Sequence, residues 1–126
     1  MLHGIGLCGI LVLLFPRLSV AWNFAATLTL EALWEIVENS PFVIDRYRTG
    51  TAALGYEGDS IVNALGDSAS CALGWALARR LGWRWSIAVW VAVEVILLLW
   101  IRDNLLLNVV MLLAPIEAIK QWQMGL

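Results

Sequence analysis

The chain has 126 residues, of which 61% are hydrophobic and only 14% charged, with a mean hydropathy of +0.80. A water-soluble domain runs about 45–50% apolar and about 25% charged, so a soluble globule would have nowhere to bury this much apolar surface. The net charge of -2, with no basic run, argues against nucleic acid as a partner. The length allows a single domain, residues 1–126, and the class expected is an all-α polytopic membrane bundle whose first partner is the lipid bilayer.

The first apolar segment covers about 4–15 and is stopped by Pro16. It lacks the basic start and small-residue cleavage site of a secretory signal. It is short for a span, which needs about 20 apolar residues, unless His3 sits at the interface. The second segment, about 19–38, opens on Ser19 as N-cap and closes at Asn39-Ser40-Pro41. A connection of about 20 residues follows, 39–58, a length that in compact proteins is usually functional. Its Phe42, Val43, Ile44 and Tyr47 point to a stretch lying on the membrane surface or folding back over the helices. The third segment is about 59–79, with Asp59 as its expected N-cap, and the fourth about 85–101, flanked by Arg84 and Arg102. A fifth, about 104–114, is too short to cross alone; it is either re-entrant or joined to the polar tail Glu117 to Gln123 as one tilted helix. The expected architecture is about four spanning helices plus a short re-entrant or interfacial C-terminal helix.

Arg17 lies between the first two segments, and Arg79, Arg80 and Arg84 lie between the third and fourth. The positive-inside tendency places both connections in the cytoplasm. The 39–58 connection and the Arg102-Asp103-Asn104 corner then face outward. Cys8 and Cys71 lie in apolar runs and read as buried small hydrophobes.

Against this background the acids stand out. An ionisable group costs about 2.5 kcal/mol or more at the centre of a bilayer, so it normally faces a partner, a cavity or a functional site. Glu31, Glu35 and Glu38 are spaced i, i+4, i+7 on one helical face. Asp59, Asn63 and Asp67 share a face of the next segment, and Arg102, Asp103 and Asn104 end the fourth, with Asn108 one turn further on. With His3, these groups are expected to converge on the outer side of the membrane. The candidate cluster is His3, Glu35, Glu38, Asp59, Asn63, Asp67, Arg102, Asp103 and Asn104. The structural alternative is that they cap and tie helix ends. Glu94 stands apart in mid-segment and is expected to be protonated or paired inside the bundle.

The stretch from Glu31 through Trp34, Glu35, Glu38, Asn39 and Pro41 to Asp45, Arg46, Tyr47 and Arg48 resembles the signature of the DUF2585 (UPF0314) membrane family. Gly58-Asp59-Ser-Ile-Val-Asn63, Arg102-Asp103-Asn104-Leu-Leu-Leu-Asn108 and Glu117-Ala-Ile-Lys-Gln-Trp-Gln123 resemble its further blocks. The resemblance covers nearly the whole chain. It implies a multi-pass protein of the alphaproteobacterial inner membrane. A wider resemblance, to VanZ-like proteins, rests on His3-Gly4, Glu35 and Asp59-x-x-x-Asn63 followed by Gly66 or Gly74, and implies that His, Glu and Asp/Asn meet in one outward pocket. Members of the first family have a further amino-terminal region before the His-Gly. This sequence, starting at that His-Gly, reads either as a truncation or as a shortened member.

Three functions follow from these residues. In the first, the outward cluster is a site for a lipid or envelope precursor, or for a metal, with His3, Glu35, Asp59 and Asp103 as ligands or acid and base. One histidine and no HExxH spacing leave the catalytic signal unspecific. In the second, the chain is a small accessory subunit of a respiratory or photosynthetic membrane complex, which its size and eight Trp suit. In the third, transport, a single chain has too few helices. The sequence does not identify a cofactor.

Overall fold

A computed structural model describes the chain except residues 52–54, 56, 59 and 126. The expected N-cap and site residue Asp59 therefore lies outside the described residues. Among those described there are six helices and no strand: α1 (Leu2–Leu14), α2 (Val20–Glu38), α3 (Pro41–Gly50), α4 (Ile61–Ile101), α5 (Leu105–Leu113) and α6 (Glu117–Gln123). One of them, α4, is long and apolar enough to cross a membrane.

The local chemistry accounts for the boundaries. Ser19 Oγ accepts from the Trp22 amide at 3.3 Å, opening α2 as its sequence position predicts. Ser40-Pro41 closes α2 and also starts α3. Ser40 is the N-cap, accepting from Val43 N, and Pro41 takes the first-turn position where a missing N–H is harmless. The 39–58 connection thus contains a helix. Ser60 Oγ accepts from the Asn63 amide at 3.2 Å at the head of α4. Asn104 caps α5 through Oδ1 and the Leu107 amide at 2.8 Å. Of the two alternatives for this segment, the single tilted helix from 104 into the tail is not formed. Pro115 stands between α5 and α6, and it can neither donate an amide nor let its predecessor stay helical.

Helix α4 is interrupted at Gly82, whose φ of 76° and ψ of 173° lie far from helical values. Eight residues of unbroken α-helix rise about 12 Å. Here Ser86 Oγ reaches both the Ala78 carbonyl at 3.3 Å and the Gly82 carbonyl at 2.6 Å, so the chain turns sharply at this glycine. The break falls inside the 79–85 gap expected between the third and fourth segments.

The helices group into two compact units, Met1–Ile36 with Asp59–Trp90, and Val37–Gly58 with Val91–Leu126. In the first, α1 packs on the first half of α4 through glycines. A Cβ on Gly4 would overlap the backbone carbonyl of Cys71, and one on Gly74 would overlap that of Met1. Ile5, Cys8 and Leu11 of α1 and Cys71 of α4 are buried there, and both cysteines are free. In the second unit α3 packs on α5. Arg46 of α3 donates to the Leu112 and Leu113 carbonyls at 3.0 and 3.3 Å, satisfying the C-terminus of α5. Val43 and Met111 are buried there. Large apolar side chains elsewhere are open: Leu13 is 79% exposed, Leu99 78% and Trp100 82%.

Candidate functional site

In the first unit the polar groups form a seam. Asn23, Thr27, Glu31 and Glu35 recur every fourth residue along α2, so their side chains lie along one winding stripe. None of the four is more than 8% exposed. The stripe meets other helices at two points. Asn23 Oδ1 accepts from Trp75 Nε1 of α4 at 2.8 Å, and the Trp75 ring packs on Phe24 with centroids 4.6 Å apart. Glu31 Oε2 lies 3.0 Å from His3 Nδ1 of α1, an ion pair when the imidazole is protonated. The Cys71 thiol lies near the same carboxyl. The His3 side chain is 36% exposed and the Glu31 side chain 3%, so the histidine forms the mouth of the seam and the glutamate its floor. Between these pairs the Thr27 hydroxyl is fully buried and has no hydrogen-bond partner among the described residues. A buried hydroxyl left unpaired costs about 1–3 kcal/mol, which a ligand's polar atom or a water would recover.

Of the candidates read from sequence, the structure places His3 and Glu35 in this unit, with Glu31 supplying the partner to His3. Asn63 and Asp67 are exposed on the first turns of α4. Glu38, Arg102, Asp103 and Asn104 belong to the second unit. Asn23 and Thr27 were not singled out from the sequence. Their signal was present as a polar residue at every fourth position of an otherwise apolar helix, extending the Glu31 to Glu35 spacing back by two turns. Among the described residues no group of three or more His, Cys, Asp and Glu side chains is placed to hold a metal ion. His3 and Glu31 offer two ligands.

In the second unit the polar residues hold helices together. Glu94 is buried, and its two carboxyl oxygens accept from the Leu105 and Leu106 amides at 3.0 and 3.1 Å. It is thus paired, as its mid-segment position led one to expect, and the partner is the first turn of α5. Arg102, at a φ of 56°, makes the left-handed turn out of α4, donates to the Trp122 carbonyl at 3.0 Å and stacks over the Trp122 ring. Asp103 accepts from Gln123 at 3.3 Å and from Asn108 at 3.4 Å.

Burial pushes the Asp103 carboxyl above the usual carboxylate range, and Glu94 adds to the rise, against the lowering effect of the Asn104 amide, Asn108 and Gln123. An acid whose folded pKa exceeds its unfolded value, about 3.9, holds an extra proton in the folded state between the two. Stability is then greatest below about pH 4, falls as pH rises through that interval, and stays lower above it. Asp103→Asn removes the charge and keeps an acceptor. Thermal unfolding in detergent is expected to show the wild type losing stability relative to the variant as pH rises above about 4. Equal pH slopes for the two proteins would rule out a buried Asp103 charge.

Comparison with known proteins gives a consistent picture. The family model described as "Protein of unknown function (DUF2585)" matches residues 1–125. The chain is 43% identical over 125 residues to a UPF0314 protein of Brucella anthropi, covering 99% of this chain and 64% of that protein. It is 43% identical to a UPF0314 protein of Sphingopyxis alaskensis (98% and 66%) and 44% identical to one of Paracoccus denitrificans (99% and 65%). The chain thus spans about two thirds of the length of these relatives. No solved structure matches it.

Proposed function

The chain belongs to the DUF2585 family of proteins of unknown function, and from that premise we propose that it is a multi-pass inner-membrane protein whose α1–α2–α4 seam opens to the periplasmic side and binds the polar headgroup of a lipid or envelope precursor. The membrane reading is supported by α4. Its break at Gly82 leaves two helical runs, 61–81 and 83–101, each about 20 residues and so about 30 Å long, the thickness of a bilayer core. With α1 and α2 they make about four crossings. Open apolar side chains such as Leu13, Leu99 and Trp100 suit lipid and not water. Arg17 and the Arg79 to Arg84 group orient both of their connections to the cytoplasm, which leaves His3 on the outer side.

The observation that carries the binding reading is the Thr27 hydroxyl, buried and without a partner among the described residues, between two helix-bridging pairs. Gluing helices together needs Asn23–Trp75 and His3–Glu31; it does not need a further hydroxyl left open between them. The imidazole and carboxyl can donate to and accept from a headgroup, and can pass a proton between them.

The test is the native mass of the untagged assembly in mild detergent, for the wild type, Glu31→Gln and Thr27→Val. A lone chain or small homo-oligomer carrying bound lipid is expected, with retention falling about tenfold in Glu31→Gln, the loss of one charge-assisted hydrogen bond. A fixed-stoichiometry complex with other chains, together with unchanged lipid in both variants, would overturn the reading. It would leave an accessory subunit whose acids serve packing.

A further inference from the structure

A second feature of the first unit lies away from the seam. Between α1 and the Gly82 turn of α4 runs a groove of about 1000 Å³. Its floor is small: Gly6 and Gly9 of α1 and Ala78 and Gly82 of α4 keep the helices from filling it. Its walls are apolar, among them Ile10, Leu13, Ile87 and Trp90. From Ile5 to Leu13 it follows α1 for about 12 Å, close to the depth of one leaflet of a core about 30 Å thick.

One end of this apolar groove is cationic. Arg79 lines it, and Arg80 and Arg84 lie within the next five residues. Neither Arg79 nor Arg80 has an ion-pair or hydrogen-bond partner among the described residues. Trp83, also on the groove wall, is held under the Arg84 guanidinium, 5.2 Å from the ring centroid. Trp83 and Trp85 are both largely exposed, as interfacial tryptophans are.

An apolar trough one leaflet deep, ending in unpaired guanidiniums beside interfacial tryptophans, is complementary to a molecule with an acyl chain and a phosphate. We propose that this groove binds an anionic phospholipid of the cytoplasmic leaflet, its acyl chain along Gly6, Gly9 and Leu13 and its phosphate on Arg79. The inference rests on the membrane reading above but not on the headgroup seam, whose residues it does not use. The occupant is a lipid and not a free phosphate, because the trough is apolar over most of its length. It is an anionic lipid because the Arg79 to Arg84 group has no ion-pair partner among the described residues. Arginines near such a surface contribute about fivefold each to binding.

The test begins with carbonate extraction of membranes from cells expressing the full chain. Recovery in the soluble fraction would overturn the membrane reading and this inference with it. The integrated chain is then purified in mild detergent and offered dioleoyl phosphatidylglycerol or dioleoyl phosphatidylcholine, and retained lipid is counted by native mass spectrometry. The wild type is expected to retain the phosphatidylglycerol at least about fivefold more than the phosphatidylcholine. Arg79→Gln is expected to bring the two within about twofold of each other. A Cβ on Gly9 meets nothing within 4 Å, so Gly9→Leu fills the trough without disturbing the helix; it is expected to lower retention of both lipids while leaving thermal stability unchanged. Equal retention of the two lipids by the wild type would overturn the proposal. So would a Gly9→Leu variant that retains them fully, or a wild type in which a second copy of the chain excludes lipid from the groove.

Discussion

Replacing Gly4 by leucine is expected to lower stability by about 3 kcal/mol or more. A side chain there must displace backbone: its Cβ would overlap the Cys71 carbonyl oxygen and sit 2.8 Å from the Trp75 amide nitrogen. Neither atom can swing aside as a rotamer does, because both belong to the hydrogen-bonded ladder of α4. Small residues at such crossings let membrane helices meet backbone to backbone, where dispersion and not water exclusion holds them. Separating α1 from α4 would also pull His3 off Glu31, so lost lipid retention is expected to accompany lost stability. For stability, Gly9→Leu, on the same helix but facing open space, is the control. Thermal unfolding of the full chain in detergent decides the matter: similar midpoints for the two variants would refute a close α1–α4 crossing.

Glu94→Ala is expected to destabilise the second unit by about 2–5 kcal/mol, since it leaves two amides at the head of α5 without their acceptor. Those amides, of Leu105 and Leu106, are bonded to separate oxygens of one carboxyl, and Glu94 is only 4% exposed, so water cannot readily replace it. Asn104 gives partial insurance. Its Oδ1 still caps the Leu107 amide, and its Nδ2 still reaches the Glu94 backbone carbonyl at 3.4 Å, a contact that survives truncation of the side chain. Glu94→Gln keeps one acceptor oxygen and is expected to lose about half as much. Hydrogen exchange reads this directly. The Leu105 and Leu106 amides are expected to exchange faster in Glu94→Ala, with those of α3 following, because α3 packs on α5. Unchanged protection at both residues would show that the carboxyl does not hold the helix.

Together these residues separate two uses of polarity in an apolar chain. In the second unit, Glu94, Arg102, Asp103 and Asn104 are consumed by backbone groups and neighbouring side chains at turns. In the first, the α2 stripe bridges helices at two points and leaves a hydroxyl open between them.

Much of this was legible without coordinates. Composition alone established the all-α, apolar class, because helices satisfy their own backbone while exposing apolar side chains. Pro16, Ser19, the arginine-flanked break near 82 and the close of α5 were readable because caps and breakers act on their immediate neighbours. Helix α3 was missed because Ser-Pro serves equally to end one helix and to begin the next, and only the Ser40 to Val43 bond distinguishes the two. The spacing of Glu31 and Glu35 put them on one face but could not say which face was buried, nor that Asn23 and Thr27 extended it. Arg102, Asp103 and Asn104 read as a site from their chemistry, with Asn108 one turn on, and only the fold revealed Trp122, Gln123 and Glu94 around them. The sequence by itself determined where helices start and stop and that acids are out of place in them, since these are local and compositional properties. Which acid meets which partner was decided by tertiary structure alone, because a pairing such as His3 with Glu31 joins residues 28 apart through the close approach of whole helices.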